Sequence, residues 1–254
     1  MSERTSYTEG TPNWVDLGTP DLEAAKRLYA DLFGWAYEGG GPESGHYALC
    51  LKEGLAAAGI APQMDPSDPP RWSTYLASDD LDRTAARITE AGGRLLVEPM
   101  DILDAGRMLV AAAPDGSPFG VWQGKAHIGA RRVNEEGALI WNDVQTRDGD
   151  ATDRFYAAVF GYELEPMGED YMLYKVGDQV IGGRYLVGAD APTGWVAYFA
   201  VTDTDEAVAT VTGAGGQVAS PAHDSEYGRI AVVRDPWGAT LGVIQVPAET
   251  EDEQ

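Results

Sequence analysis

The sequence predicts an α+β protein of four βαβββ-like modules, arranged as two duplicated halves. Three observations carry that prediction. The segment 27–38 (RLYADLFGWAYE) returns as 154–165 (RFYAAVFGYELE), at an offset of 154 − 27 = 127 that Trp14/Trp141 and Asp16/Asp143 share without a gap. The segment 106–123 (GRMLVAAAPDGSPFGVWQ) returns as 228–245 (GRIAVVRDPWGATLGVIQ). Within the first half, a shift of 59 positions lays Leu22-Glu23 on Leu81-Asp82, so each half is itself doubled. Self-similarity at fixed spacing marks a repeated structural unit. The 254 residues suit two domains of about 120 residues each, placed here at 1–124 and 125–254.

Residues 14–19 read as a strand, and Asp21 is suited to cap the helix that follows. Leu22, Ala25, Leu28, Tyr29 and Leu32 fall on one face of that helix, and Gly34 stops it. Short strands follow at 46–52 and 55–61, separated by Glu53-Gly54. The pattern then restarts: strand 72–78, a helix opened by Asp80 and closed by Gly92-Gly93, and strands near 94–98, 107–112 and 118–123. Modules fall at about 12–62, 70–123, 137–188 and 194–246, joined by DPSDPP (65–70), the stretch 124–137 and GADAPTG (188–194). The acidic end AETEDEQ reads as a solvated, frayed tail. Gly92-Gly93 and Gly215-Gly216 read as helix stops, not phosphate loops, since no strand precedes them and no Lys-Ser/Thr follows.

The formal net charge of −23 argues against nucleic acid and anionic membrane surfaces, because no basic patch can displace counterions. A single cysteine, Cys50, lies in an apolar stretch and reads as a packed thiol, so no disulfide is expected. MSERTSYTEG has no apolar core of a signal peptide, and no apolar run approaches the roughly 18 residues that span a bilayer. A cytoplasmic protein, monomer or homodimer, is the simplest expectation.

The module order, the strand–Asp-Leu-Glu–helix opening (21–23) and the closing Pro-Asp/Trp-Gly-x-x-Phe/Leu-Gly-Val strands resemble the vicinal-oxygen-chelate superfamily, which joins glyoxalases, bleomycin-resistance proteins and dioxygenases. The resemblance runs from about Asn13 to Val246. It is strongest to tandem actinobacterial members labelled glyoxalase-like or hydroxylase, which HIGARRVNEEGALIWND (127–143) also resembles. It implies that each pair of modules curls into a half-open mixed β-barrel, helices outside, with a ligand or metal in the concavity. The superfamily's metal-ligand positions fall on Trp14 and Trp141, Ser73 and Val196, and Gly120 and Gly242. None offers the imidazole or carboxylate that a divalent transition metal requires, so neither metal nor cofactor is expected.

Strand alternation turns Trp14 and Asp16 into the first concavity, with Trp141, Asp143 and Gln145 in the second. Ser73, Tyr75 and Trp122 join the first cup, and Val196, Tyr198 and Ile244 the second, with Arg107 and Arg229 as the arginine of each. Trp14 and Trp141 either fill the space a metal left or stack on a ligand. Asp16 and Asp143 either act as bases or form buried ion pairs with Arg107 and Arg229. His223, in a loop by the second cup with Asp101 as counterpart, is a candidate acid or base, and His127 a linker contact within reach of a cup. The expected function is metal-independent binding of a small planar or aromatic molecule, for sequestration, resistance or secondary metabolism. The alternative is a glyoxalase-like lyase or isomerase, or a hydroxylase-type tailoring enzyme, using the same Asp, Tyr, Arg and His groups.

Overall fold

In the computed structural model, residues 3–189 and 191–245 are described; the acidic tail lies outside them. Sixteen strands and four α-helices follow one another as the duplicated sequence requires. The first half runs β1 (Pro12–Thr19), α1 (Leu22–Phe33), β2 (Ala36–Gly39), β3 (Ala48–Lys52), β4 (Leu55–Pro62), β5 (Arg71–Ala77), α2 (Leu81–Glu90), β6 (Arg94–Ile102), β7 (Gly106–Ala112) and β8 (Pro118–Gly124). The second repeats it as β9 (Leu139–Thr146), α3 (Gly149–Phe160), β10 (Glu163–Pro166), β11 (Tyr171–Val176), β12 (Gln179–Leu186), β13 (Gly194–Ala200), α4 (Thr204–Gly213), β14 (Gln217–Ser225), β15 (Gly228–Arg234) and β16 (Thr240–Gln245).

Each helix begins on an aspartate, at Asp21 and Asp80 as expected and at Asp148 and Asp203 likewise: their side chains accept from backbone N–H groups of the first turn. Gly34 and Gly161 end α1 and α3 with φ of 69° and 75°, a left-handed conformation that glycine adopts without steric cost. β2 and β10 were not separable in the sequence, because AYEG and ELEP lie largely exposed on sheet edges and show no apolar alternation. β6 and β14 run on through Pro99 and Pro221; both are edge strands, where a missing N–H costs no ladder bond. His223 therefore sits in a strand and not, as expected, in a loop.

The strands form two eight-stranded mixed sheets, ordered β2-β3-β4-β1-β5-β8-β7-β6 and β10-β11-β12-β9-β13-β16-β15-β14. Both curl into open cups with the helices on the convex side. The convex sides pack on each other, with their helices between them. One core joins Val15, Leu17, Tyr29 and Phe33 of the first half to Phe199, Val211, Val233 and Val243 of the second. The other joins Leu76, Ile88, Leu109 and Phe119 to Phe155, Tyr156, Val159 and Trp195. Cys50 lies fully buried in the first core, as its apolar surroundings predicted. Polar ties across the halves include Tyr29 Oη to Asp235 Oδ2 at 3.0 Å and Thr74 Oγ1 to Asn142 Oδ1 at 3.0 Å. With the convex faces so used, the two concavities open away from each other. No helix among the described residues is long and apolar enough to cross a membrane.

Candidate functional site

The same four side chains meet at the floor of each cup. In β1, Val15 and Leu17 face the helix, so alternation turns Trp14 and Asp16 to the concave side. Neighbouring β5 runs antiparallel with Trp14 opposite Tyr75 and Asp16 opposite Ser73. Tyr47, just before β3, completes the group: Trp14 Nε1 donates to Tyr47 Oη at 2.8 Å, and Tyr47 Oη donates to Asp16 Oδ2 at 3.3 Å. In the second half Trp141 Nε1 lies 2.7 Å from Asp143 Oδ1 and 2.8 Å from Tyr171 Oη, while Tyr171 Oη donates to Asp143 Oδ1. Tyr198, opposite Trp141 on β13, also lies beside Asp143 and helps hold its charge.

Glycines explain how four large groups fit. A Cβ on Gly59 or Gly183 would run into the hydroxyl of Tyr47 or Tyr171, and one on Gly120 or Gly242 into the ring of Tyr75 or Tyr198. Mid-strand glycine is costly unless something must approach the backbone closely. Here that is a tyrosine ring, four times over. Tyr75 and Tyr198 follow from strand alternation in the sequence, whereas Tyr47 and Tyr171 do not. The paired interior glycines Gly59 and Gly183 were the available signal.

Among the described residues no cation acts on either carboxylate. Burial pushes Asp143 up to about 6, partly offset by hydrogen bonds from Tyr171, Trp141 and Tyr198; Asp143 is 7% exposed. Asp16 is likewise raised to about 6 by burial against hydrogen bonds from Tyr75, Tyr47 and Ser73. Burial and the adjacent carboxylates push all four phenols upward, so they stay protonated donors. The site thus presents a carboxylate poised near neutral pH, ringed by phenol and indole hydrogens.

Arg107 and Arg229 are not in the cups, which corrects the expected ion pairs with Asp16 and Asp143. Arg107 shares the convex face with fully buried Leu109, as Arg229 does with Ala231. There Arg107 forks onto Asp82 at 2.8 and 3.1 Å, and Arg229 onto Asp205 at 2.8 and 3.0 Å and onto Asp224 at 2.9 Å. His223 pairs in register with Ile230 on the edge strand β14, four strands along the sheet from β9, which carries Asp143. Its counterpart is Met100, which pairs with Met108; Asp101 corresponds instead to Asp224, since each faces the arginine of the neighbouring strand. His223 is exposed, with Nδ1 3.1 Å from Pro221 O. Trp122 is in the first cup, but its indole N–H is bonded to His127 O at 2.8 Å.

The donor set does not fit a divalent metal. Among the described residues no three His, Cys, Asp or Glu side chains gather closely enough to hold one. At the strand position where the superfamily resemblance places a glutamate ligand, the rings of Tyr75 and Tyr198 cover Gly120 and Gly242 and fill the space such a side chain needs.

Comparison with known proteins agrees with this architecture. Residues 11–121 match the Glyoxalase/Bleomycin resistance protein/Dioxygenase superfamily, and residues 142–244 a Glyoxalase-like domain. A putative glyoxylase, CFP32, of Mycobacterium bovis is 43% identical, covering 96% of this chain and 98% of its own. The anthracycline biosynthesis protein DnrV of Streptomyces peucetius is 32% identical, covering 95% of each. Among solved structures, the Mn(II)-bound glyoxalase from Novosphingobium aromaticivorans superposes with a TM-score of 0.67 at 16% identity, covering 100% of this chain and 87% of its own. At that identity the likeness is one of fold.

Proposed function

This chain belongs to the Glyoxalase/Bleomycin resistance protein/Dioxygenase superfamily, and from that membership we propose that it binds a small planar organic molecule in a cup that needs no metal ion, by sequestration or in support of secondary metabolism. The observation that carries the reading is the duplicated Trp–Asp–Tyr–Tyr cluster, whose tryptophans occupy one position where the resemblance places a metal ligand and whose Tyr75 and Tyr198 rings cover another. Indole and phenol walls accept flat rings, and a buried carboxylate with an accepting lone pair orients a hydroxyl or amine. An anionic ligand is disfavoured, because no cation among the described residues offsets the buried carboxylate. The relationship to DnrV, an anthracycline biosynthesis protein, supports the link to secondary metabolism.

The test is a titration with 1,4-dihydroxyanthraquinone followed by tryptophan fluorescence. Saturable quenching, unchanged by EDTA, is the expected result. Quenching that requires added manganese, zinc or iron(II) would overturn the metal-free reading.

One observation favours a second reading, a lyase or isomerase. A carboxyl held at about 6 can accept a proton at neutral pH, and flanking phenols can hold the oxyanion that develops. Steady turnover of the hemithioacetal of methylglyoxal by metal-free protein, lost in Asp143→Asn, would establish it.

A further inference from the structure

Resting on the cup-binding reading above, we propose that the first cup is occupied by the protein's own linker, so that the chain takes one external ligand, in the second cup: an uncharged planar molecule carrying a phenolic or similar donor. The two clusters are alike in chemistry and unlike in what lies over them. In the first, the segment after β8 turns back into the concavity. Ala130 N donates to Asn13 O at 2.7 Å, and Arg131 N and Arg132 N both reach Ala56 O, at 2.7 and 3.0 Å. Ala130 and Val133 are buried with Trp14, Tyr75 and Trp122 in one apolar cluster. Gly129 crosses so tightly over Asn13 that a Cβ there would strike the Asn13 carbonyl, and its φ is +113°.

His127 is the part of this strap that behaves as a ligand. Its imidazole meets Trp14 edge-on with ring centroids 4.4 Å apart, and lies 5.6 Å from Trp122. Its carbonyl takes the Trp122 indole hydrogen at 2.8 Å, and its Nε2 is buried with no hydrogen-bond partner. A flat ring against the tryptophan with an acceptor beside it is the geometry expected of a bound heteroaromatic molecule. The N-terminal segment fastens the strap from outside: Tyr7 Oη donates to Ala130 O at 2.6 Å, and Arg4 N to Arg131 O at 2.9 Å.

Nothing comparable covers the second cluster among the described residues. Trp14 is 3% exposed, whereas Trp141 is only half-buried, and no aromatic ring lies against it. Tyr185, 44% exposed and 6.3 Å from Tyr171 between ring centroids, stands at its rim. Where Ser73 and Trp122 offer hydrogen bonds in the first cup, Val196 and Ile244 offer only apolar surface in the second. A ligand there meets Trp141 with its ring, Asp143 with its donor and Val196/Ile244 with an apolar edge.

The experiment is equilibrium dialysis of the full chain with 1,4-dihydroxyanthraquinone, joined to hydrogen exchange of the free protein. One molecule per chain is expected, with Trp141→Ala weakening binding about tenfold or more. The double variant His127→Gly/Ile128→Gly is expected to raise the stoichiometry to two by freeing the first cup. Independently of that variant's folding, the amides of Ala130, Arg131 and Arg132 should exchange as slowly as strand amides in the wild-type protein. Two molecules per wild-type chain, full affinity in a folded Trp141→Ala, or strap amides exchanging at loop rates would overturn the proposal while leaving the cup-binding reading intact. No binding by wild-type protein would instead overturn that reading, and this inference with it.

Discussion

Replacing Asp143 by Asn is expected to make the protein more stable at pH 7, by about 2 kcal/mol, while removing its ligand affinity. In the folded chain the Asp143 carboxyl is raised from 3.8 to about 6 by burial. A folded-state value above the unfolded one means that folding favours the proton. The group's stabilising contribution is then complete below about pH 4 and is lost as pH rises through 6, so at pH 7 the charged form opposes folding. That difference between the folded and unfolded values corresponds to roughly 3 kcal/mol. Asparagine escapes that penalty and can still accept from Trp141 and Tyr171 through Oδ1. Its new N–H groups are incompletely matched, which takes back part of the gain. Urea unfolding at pH 7 and pH 4 checks the sign: the gain should shrink toward zero at pH 4. An equal gain at both values would show that burial of charge is not its origin. A stabilising substitution that abolishes function is the mark of a carboxylate held for use.

Gly242→Ala should do the reverse, destabilising the protein by about 3 kcal/mol and disabling the second cup. The added methyl would enter the Tyr198 ring, which lies directly over Gly242 in the parallel β13–β16 pair. Overpacking a filled site costs about 1–3 kcal/mol, and the displaced ring also gives up its hold on the Asp143 charge. Gly213→Ala is the control. Gly213, at the end of α4, has open space around its Cα, so alanine there should stabilise by about 0.5–1 kcal/mol. Thermal melts of the two variants should therefore move in opposite directions. If Gly242→Ala melts with the wild-type protein, Tyr198 is not held as described.

The fold was largely legible because the chain states its pattern repeatedly. The Asp caps at 21 and 80, the Gly34 stop and the alternation in β1 and β5 are local signals, and each is strengthened by its repeat. The short edge strands β2 and β10 carry no such pattern, and the length of β6 and β14, which run past Pro99 and Pro221, depends on their edge position, a tertiary property. Three of the four members of each candidate cluster were readable from strand alternation: Trp14, Asp16 and Tyr75, and their copies Trp141, Asp143 and Tyr198. Tyr47 and Tyr171 were not, since their contact with the aspartates depends on how far β3 and β11 curl over β1 and β9. Arg107 and Arg229 were assigned to the wrong face, although Leu109 and Ala231 two residues on are core residues that place them. Of the strap, the sequence offers only His127 within reach of a cup; the rest of its path is set by what the loop can bond, here Asn13 O and Ala56 O.

The most direct test is a crystal structure of the chain grown with 1,4-dihydroxyanthraquinone while manganese, zinc and iron(II) salts are present, with anomalous data collected at each metal edge. The expected result is planar density against Trp141, a hydroxyl within hydrogen-bond distance of Asp143, and no anomalous peak in either concavity. A metal ion coordinated in a cup, or a ligand bound away from both, would contradict it.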